Sequence, residues 1–246
     1  MFKDKIIWFN EIDSTNSEAY RNLATAEHGS VWAARYQRAG RGQKGNRWES
    51  AKGENLMFSI LLRPVFLPAE KQFVISEVGA LAVCDLMELW GLKAMIKWPN
   101  DIYIGDKKIQ GMLIEHVVNG TRLSASIVGI GINLNQTHFA SDAPNPTSVL
   151  LETGQRRTPE DALTKLLECL EQRYGEAERG DITKIEDTYC ARLYRLGQWR
   201  RYVRCADHTD FEGVIAGIDP FGRLRVLLRN GREETFAFKE IQQVIS

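Results

Sequence analysis

The Asn119-Gly120 pair constrains this chain more than any other feature. It separates two largely apolar runs, residues 111–118 and 122–132, and an Asn-Gly pair adopts the positive φ values that a two-residue hairpin turn demands. Two antiparallel strands are therefore predicted across a sheet. The second run ends in Gly129-Ile130-Gly131-Ile132-Asn133-Leu134-Asn135, whose alternate glycines strip one strand face of side chains. Either a helix packs closely on that bare face, or something flat or bulky lies against it.

Around this hairpin the pattern predicts a mixed α+β arrangement. Residues 5–9 read as a short strand, followed by a helix whose start carries Thr15 and Glu18 in capping-box spacing. Residues 31–37 and the apolar run 56–62 read as further strands. Pro68 opens a long helix that Gly91 ends, its apolar positions falling mostly at three- and four-residue spacing. Residues 93–98 form a strand broken by Pro99, and residues 102–104 and 107–109 a tight hairpin about Gly105-Asp106. Thr158-Pro159-Glu160-Asp161 caps a helix with Leu163, Leu166, Leu167 and Leu170 on one side, and a second helix covers residues 182–194. Beyond Gly197 the chain turns to short β segments, a candidate small barrel, which puts a domain boundary between 1–196 and 197–246.

Composition removes several function classes. Lys and Arg number 32, as do Asp and Glu, so the formal net charge is zero, whereas a dedicated nucleic-acid binder carries a basic excess. No apolar stretch is long enough to span a bilayer, and no start resembles a secretory leader, so a cytoplasmic protein is expected with no membrane partner. Cys84, Cys169, Cys190 and Cys205 are widely spaced and form no C-x-x-C pair; they read as small core hydrophobes in a reducing compartment. None of the four histidines is assigned a ligand or catalytic role. Arg195, Arg200, Arg201 and Arg204 read as solvated surface or, alternatively, as a dock for an acidic partner.

Two stretches carry chemistry. The first, residues 38–48, holds three glycines and four cations, a composition suited to trapping an anion between backbone N–H groups and charged side chains, or else to a solvated basic turn. The second is Lys97-Trp98-Pro99-Asn100-Asp101, where proline fixes a bend bearing a cation, an amide and a carboxylate. Such a bend suits a magnesium-bound phosphate, and equally a salt-bridged turn.

Taken together these stretches are more specific. Ser14-Thr15-Asn16, Gln37, Ala39-Gly40-Arg41-Gly42-x-x-Gly45 with Trp48, Lys97-Trp98-Pro99-Asn100-Asp101, Lys108-x-x-Gly111-x-Leu113-x-Glu115 and Gly129-x-Gly131-x-Asn133 closely resemble biotin-protein ligases in order and spacing. The resemblance covers essentially the whole chain, including residues 211–219, which are similar to the family's small SH3-like barrel.

The resemblance implies a catalytic domain like that of class II aminoacyl-tRNA synthetases, with a mixed, largely antiparallel sheet and flanking helices. It also implies two steps. Biotin and ATP with Mg2+ form biotinyl-5′-adenylate and pyrophosphate, and biotin then passes to a lysine of a biotin carboxyl carrier domain of a carboxylase. By the same resemblance Arg41, Lys108 and Asp101 are catalytic, and Lys108 meets the biotin carboxylate. Ser14, Thr15, Asn16, Gln37, Gly40, Gly42, Trp48, Gly111, Leu113 and Gly131 form the biotin slot, with core packing the alternative for Trp48. Arg41, Lys97, Asn100, Asp101 and Asn133 attend ATP, whose magnesium lies near Asp101, and no direct protein metal ligand is assigned. Gln43 and Asn46 depart from the commoner family loop, which has arginines in such places, so weaker retention of the adenylate is expected. With thirteen residues before Ser14, no DNA-binding domain of the repressor members is expected; a homodimer is left open. The rival functions are a lipoate-protein ligase and a non-enzymatic nucleic-acid module.

Overall fold

A computed structural model describes residues 1–43, 47–140 and 145–244. Seven strands form the main sheet: β1 (Ile6–Phe9), β2 (Val31–Ala34), β3 (Leu56–Leu62), β4 (Ala94–Lys97), β5 (Asp101–Ile104), β6 (Lys107–Asn119) and β7 (Arg122–Ile132). Their spatial order is β1-β2-β3-β7-β6-β5-β4; β1 pairs with β2 in parallel, and every other pairing is antiparallel. The expected mixed, largely antiparallel sheet is thus present. The Asn119-Gly120 turn joins β6 to β7, with Asn119 opposite Arg122 and Gly111 opposite Gly131. One difference is that β6 is a single strand of thirteen residues that serves both expected hairpins at once, pairing with β5 at its start and with β7 along its length.

Among the described residues five helices accompany the sheet: α1 (Thr15–Arg21), α2 (Phe73–Leu89), α3 (Val149–Thr153), α4 (Pro159–Glu178) and α5 (Ile182–Ala191). In α2, residues 74–84 are all buried. A helix apolar on nearly every side is sandwiched on nearly every side. It packs against β4, β5, α4 and α5, and only Leu89 among its large hydrophobes stands out in solvent. The helix begins at Phe73 because a 3-10 turn over Ala69–Lys71 intervenes after Pro68. Thr158 caps α4 as expected, its hydroxyl accepting from the Asp161 N–H at 3.3 Å. Helix α3 has no expectation to match it; Ser148 caps its start and Gly154, at φ 71°, ends it.

A second, antiparallel sheet follows, built from β8 (Trp199–Arg204), β9 (Asp210–Ile218), β10 (Leu224–Leu228), β11 (Glu233–Phe236) and β12 (Ile241–Gln243) in the order β11-β10-β9-β8-β12. Trp98 Nε1 donates to the Gly222 carbonyl at 2.9 Å, tying this sheet to the turn between β4 and β5. Two sequence expectations need correction. Arg195 is buried and reaches Asp106 at 3.3 Å rather than lying in solvent, and Cys205 is exposed rather than packed in the core. Among the described residues, no helix is long and apolar enough to cross a membrane.

Candidate active site

The bare face of β7 is filled by two side chains from elsewhere. A Cβ on Gly129 would lie 2.0 Å from Asn16 Oδ1, and one on Gly131 would lie 2.4 Å from the Trp48 indole. Gly111, opposite Gly131 on β6, also faces Trp48, at 2.9 Å. Both readings of the glycine pattern therefore hold in part: helix α1 sends Asn16 over the strand, and a loop aromatic covers the next glycine. Beside them opens a cavity of about 490 Å3.

Helix α1 contributes the polar wall. Ser14 is its N-cap, but no side chain caps the helix, so the expected Thr15–Glu18 capping box does not form. Thr15 turns inward instead. Its N–H donates to Gln37 Oε1 at 2.7 Å and its hydroxyl lies 3.2 Å from the same oxygen, while Glu18 turns outward to pair with Arg21. Ser59 Oγ, from the middle of β3, lies 2.7 Å from Thr15 Oγ1 and 2.5 Å from Asn16 Oδ1.

The glycine-arginine loop leaves β2 through a bridge between Gln37 and Ile12. Its base is closed by the Trp48 N–H donating to the Gly40 carbonyl at 3.1 Å and by a bridge between Arg41 and Arg47. Glycine is required at 40, because a Cβ there would lie 2.5 Å from Trp48 O. Gln43 Nε2 donates to Asn100 Oδ1 at 3.2 Å, linking the loop to the proline turn. Asn46, with Lys44 and Gly45, lies outside the described residues.

The charges are arranged in pairs. Lys108 Nζ contacts Asp101 Oδ2 at 2.6 Å, and Arg41 pairs with Glu115, whose Oε2 also accepts from Asn16 Nδ2 at 2.9 Å. Asn133 donates through Nδ2 to the Thr147 carbonyl at 3.0 Å. The Lys97 amine sits 3.3 Å from Tyr103 OH, and burial pushes its pKa below the usual lysine range.

Of the residues singled out from sequence, Ser14, Thr15, Asn16, Gln37, Arg41, Gly42, Trp48, Asp101, Lys108, Gly111, Leu113, Gly131 and Asn133 line this cavity. Gly40, Lys97 and Asn100 do not; they stand behind it, at the loop base and in the proline turn. Sequence reasoning assigned nothing to Ser59, and Glu115 entered only as the last residue of the Lys108-to-Glu115 motif, with no role of its own. Ser59 carried a faint signal as the lone polar residue in the otherwise apolar strand β3. Chemically, the cavity joins a wall of neutral amide and hydroxyl groups to a region with three cations, Arg41, Arg47 and Lys108, of which Arg41 and Lys108 are held by carboxylates. Such a site suits a ligand with a polar uncharged group at one end and an anion at the other.

Residues 8–133, just over half the chain, match the model of the biotin/lipoate A/B protein ligase family. A biotin–(acetyl-CoA-carboxylase) ligase of Paracoccus denitrificans is 33% identical over 232 residues, covering 90% of this chain and 93% of that protein. The bifunctional ligase/repressor BirA of Bacillus subtilis is 31% identical over 240 residues, or 94% of this chain and 72% of that protein. Among solved structures, the biotin protein ligase of Aquifex aeolicus in complex with biotin and ATP superposes with a TM-score of 0.82 at 25% identity, covering 98% of this chain and 99% of that one. Sequence match and shared fold converge, and the chain belongs to the biotin/lipoate A/B protein ligase family.

Proposed function

We propose that this protein is an ATP-dependent biotin-protein ligase, which makes biotinyl-5′-adenylate and passes biotin to a lysine of a biotin carboxyl carrier domain. The two-ended cavity carries the proposal. Biotin has a neutral cyclic urea at one end and a carboxylate at the other, matching the Thr15, Asn16 and Gln37 wall and the Arg41 and Lys108 cations. Attack of that carboxylate on the α-phosphate of ATP brings two anions together, and paired cations offset their repulsion. In this reading Lys108 meets the carboxylate and the α-phosphate, and Arg41 leaves Glu115 to close over the intermediate. Gly42, Gly111, Leu113 and Gly131 shape the slot under Trp48, while Asn133, Asp101 and the Lys97-to-Asn100 turn attend the nucleotide.

Magnesium fits as a passenger on ATP. Asp101, which lines the cavity, would offer a hard oxygen ligand to an ion brought in on the phosphates of ATP, which would neutralise the departing pyrophosphate. Asp101 also assists the transfer step, as base or electrostatic helper for an acceptor amine whose ordinary pKa is ~10.4. We read residues 1–196 as a catalytic domain related to class II aminoacyl-tRNA synthetases and residues 197–246 as an SH3-like barrel, in a protein that works in the cytoplasm.

The test is exchange of labelled pyrophosphate into ATP. Exchange that depends on biotin supports the proposal; exchange with lipoate and none with biotin transfers it to the lipoate branch of the family. An Asp101→Asn enzyme that forms adenylate and transfers biotin at wild-type rates removes the role given to that carboxylate.

A further inference from the structure

Asn16 lines the cavity and is 4% exposed, and its amide is held in one orientation. Nδ2 faces two acceptors, the Leu113 carbonyl at 3.3 Å and Glu115 Oε2 at 2.9 Å, while Oδ1 faces the Ser59 hydroxyl at 2.5 Å. Turning the amide over would set Oδ1 against a carbonyl and a carboxylate, with no proton between them. An amide nitrogen has two protons, and both are taken. The amide oxygen has two lone pairs, and Ser59 uses one. Anything that binds against Asn16 is therefore offered an acceptor and no donor. Gly129 allows this, since its missing Cβ leaves room for Oδ1 directly over β7.

Resting on the biotin reading above, we infer that Glu115 is a positioning residue for substrate choice: with Ser59, it fixes Asn16 as an acceptor and so favours a ring that carries an N–H donor. A cyclic urea supplies that N–H. The dithiolane ring of a lipoyl group carries two sulfurs and no donor, and against Asn16 it would leave the buried oxygen unmatched, the kind of mismatch that discriminates strongly between substrates. Glu115 itself is not among the residues that line the cavity and acts through Asn16. The same carboxylate oxygen also holds Arg41, so the donor-selecting wall and the loop cation share one anchor.

Calorimetric titration with biotin alone, with ATP alone and with lipoate alone tests this on the wild-type chain, Glu115→Gln and Glu115→Leu. Glutamine retains an oxygen for Asn16; leucine retains none. The expected result is a biotin Kd raised about tenfold or more by leucine and within about threefold of wild type for glutamine. The preference for biotin over lipoate narrows only in the leucine enzyme, and ATP affinity does not fall in either variant. Should Glu115→Leu fail to fold, Ser59→Ala carries the test, with a rise of about threefold or more in biotin Kd and no loss of ATP affinity. Unchanged biotin binding in Glu115→Leu or, where it replaces that variant, in Ser59→Ala overturns the inference. So does an equal loss in the glutamine and leucine enzymes, or a parallel loss of ATP affinity. A wild-type chain that binds lipoate and not biotin overturns the ligase reading itself, which separates the two failures.

Discussion

Much of this site is made by side chains that are missing. Gly129 and Gly131 leave hollows on β7 into which Asn16 and Trp48 fit, so the shape of the cavity wall depends on two hydrogen atoms in place of two methyl groups. A methyl on residue 131 has nowhere to go, because the indole atoms at 2.4 to 2.8 Å belong to a ring whose own backbone is pinned to Gly40. Overpacking of this kind costs about 1–3 kcal/mol. Gly131→Ala is therefore expected to lower the urea midpoint by a corresponding amount and to raise the KM for biotin more than that for ATP, as steady-state kinetics of pyrophosphate exchange can measure. An alanine enzyme with wild-type stability and wild-type biotin KM would show that Trp48 yields freely and that the close approach has no function.

At the scale of elements, the loop from Gln37 to Trp48 differs from a generic anion trap in what it is fastened to. Its base is pinned by backbone contacts at Gly40 and Trp48, and Gln43 ties it to Asn100 by a neutral hydrogen bond. A neutral amide holds a phosphoryl group less strongly than a guanidinium does, since a charge-assisted bond is roughly twice as strong. Gln43→Arg is accordingly expected to slow release of biotinyl-adenylate by about threefold to tenfold. Release can be followed by chasing labelled adenylate with unlabelled substrate; equal rates in the two enzymes would mean that position 43 does not govern retention. Elements fixed by local chemistry were legible in the sequence: the Asn119-Gly120 hairpin, the Thr158 cap and the apolar strand β3 all appear where the pattern placed them. What escaped was set by distant partners. Thr15 abandons its capping role for Gln37, twenty-two residues away, and Glu115 reaches Asn16 across ninety-nine positions. Neither contact has a local signature. Five-residue α3 is too short for periodicity to reveal, and no local pattern marks the contacts of buried Arg195, which lies over the Tyr194 ring and pairs with Asp106 in the turn between β5 and β6.

For the whole molecule, the informative group lies away from the cavity, where α2 meets α5. Glu77 is 1% exposed, and neither of its carboxyl oxygens finds a hydrogen-bond partner among the described residues. Burial, helped by the nearby charge of Glu186 and opposed by Lys71, pushes its pKa up to about 8, so the side chain is mostly neutral at pH 7. Close by, Tyr189 on α5 donates its hydroxyl to the Pro99 carbonyl at 2.7 Å, and Phe73 on α2 packs edge-on against the Tyr189 ring. The turn that carries Asn100 and Asp101 is thereby braced by the same helix pair that buries Glu77. In the unfolded chain Glu77 titrates near an ordinary glutamate pKa of ~4.3, so between that value and about 8 the folded protein binds the extra proton. Its contribution is then full below the unfolded value and is lost as pH rises toward the folded one. Each pH unit inside this window costs up to about 1.4 kcal/mol. Urea unfolding at about pH 5.5 and pH 7.5 should show wild-type stability falling by about 2–3 kcal/mol more than that of Glu77→Gln, whose amide does not titrate. Parallel profiles in the two proteins would mean that Glu77 meets water or a cation in the folded state, and that the α2–α5 contact bracing the Pro99 turn is indifferent to pH.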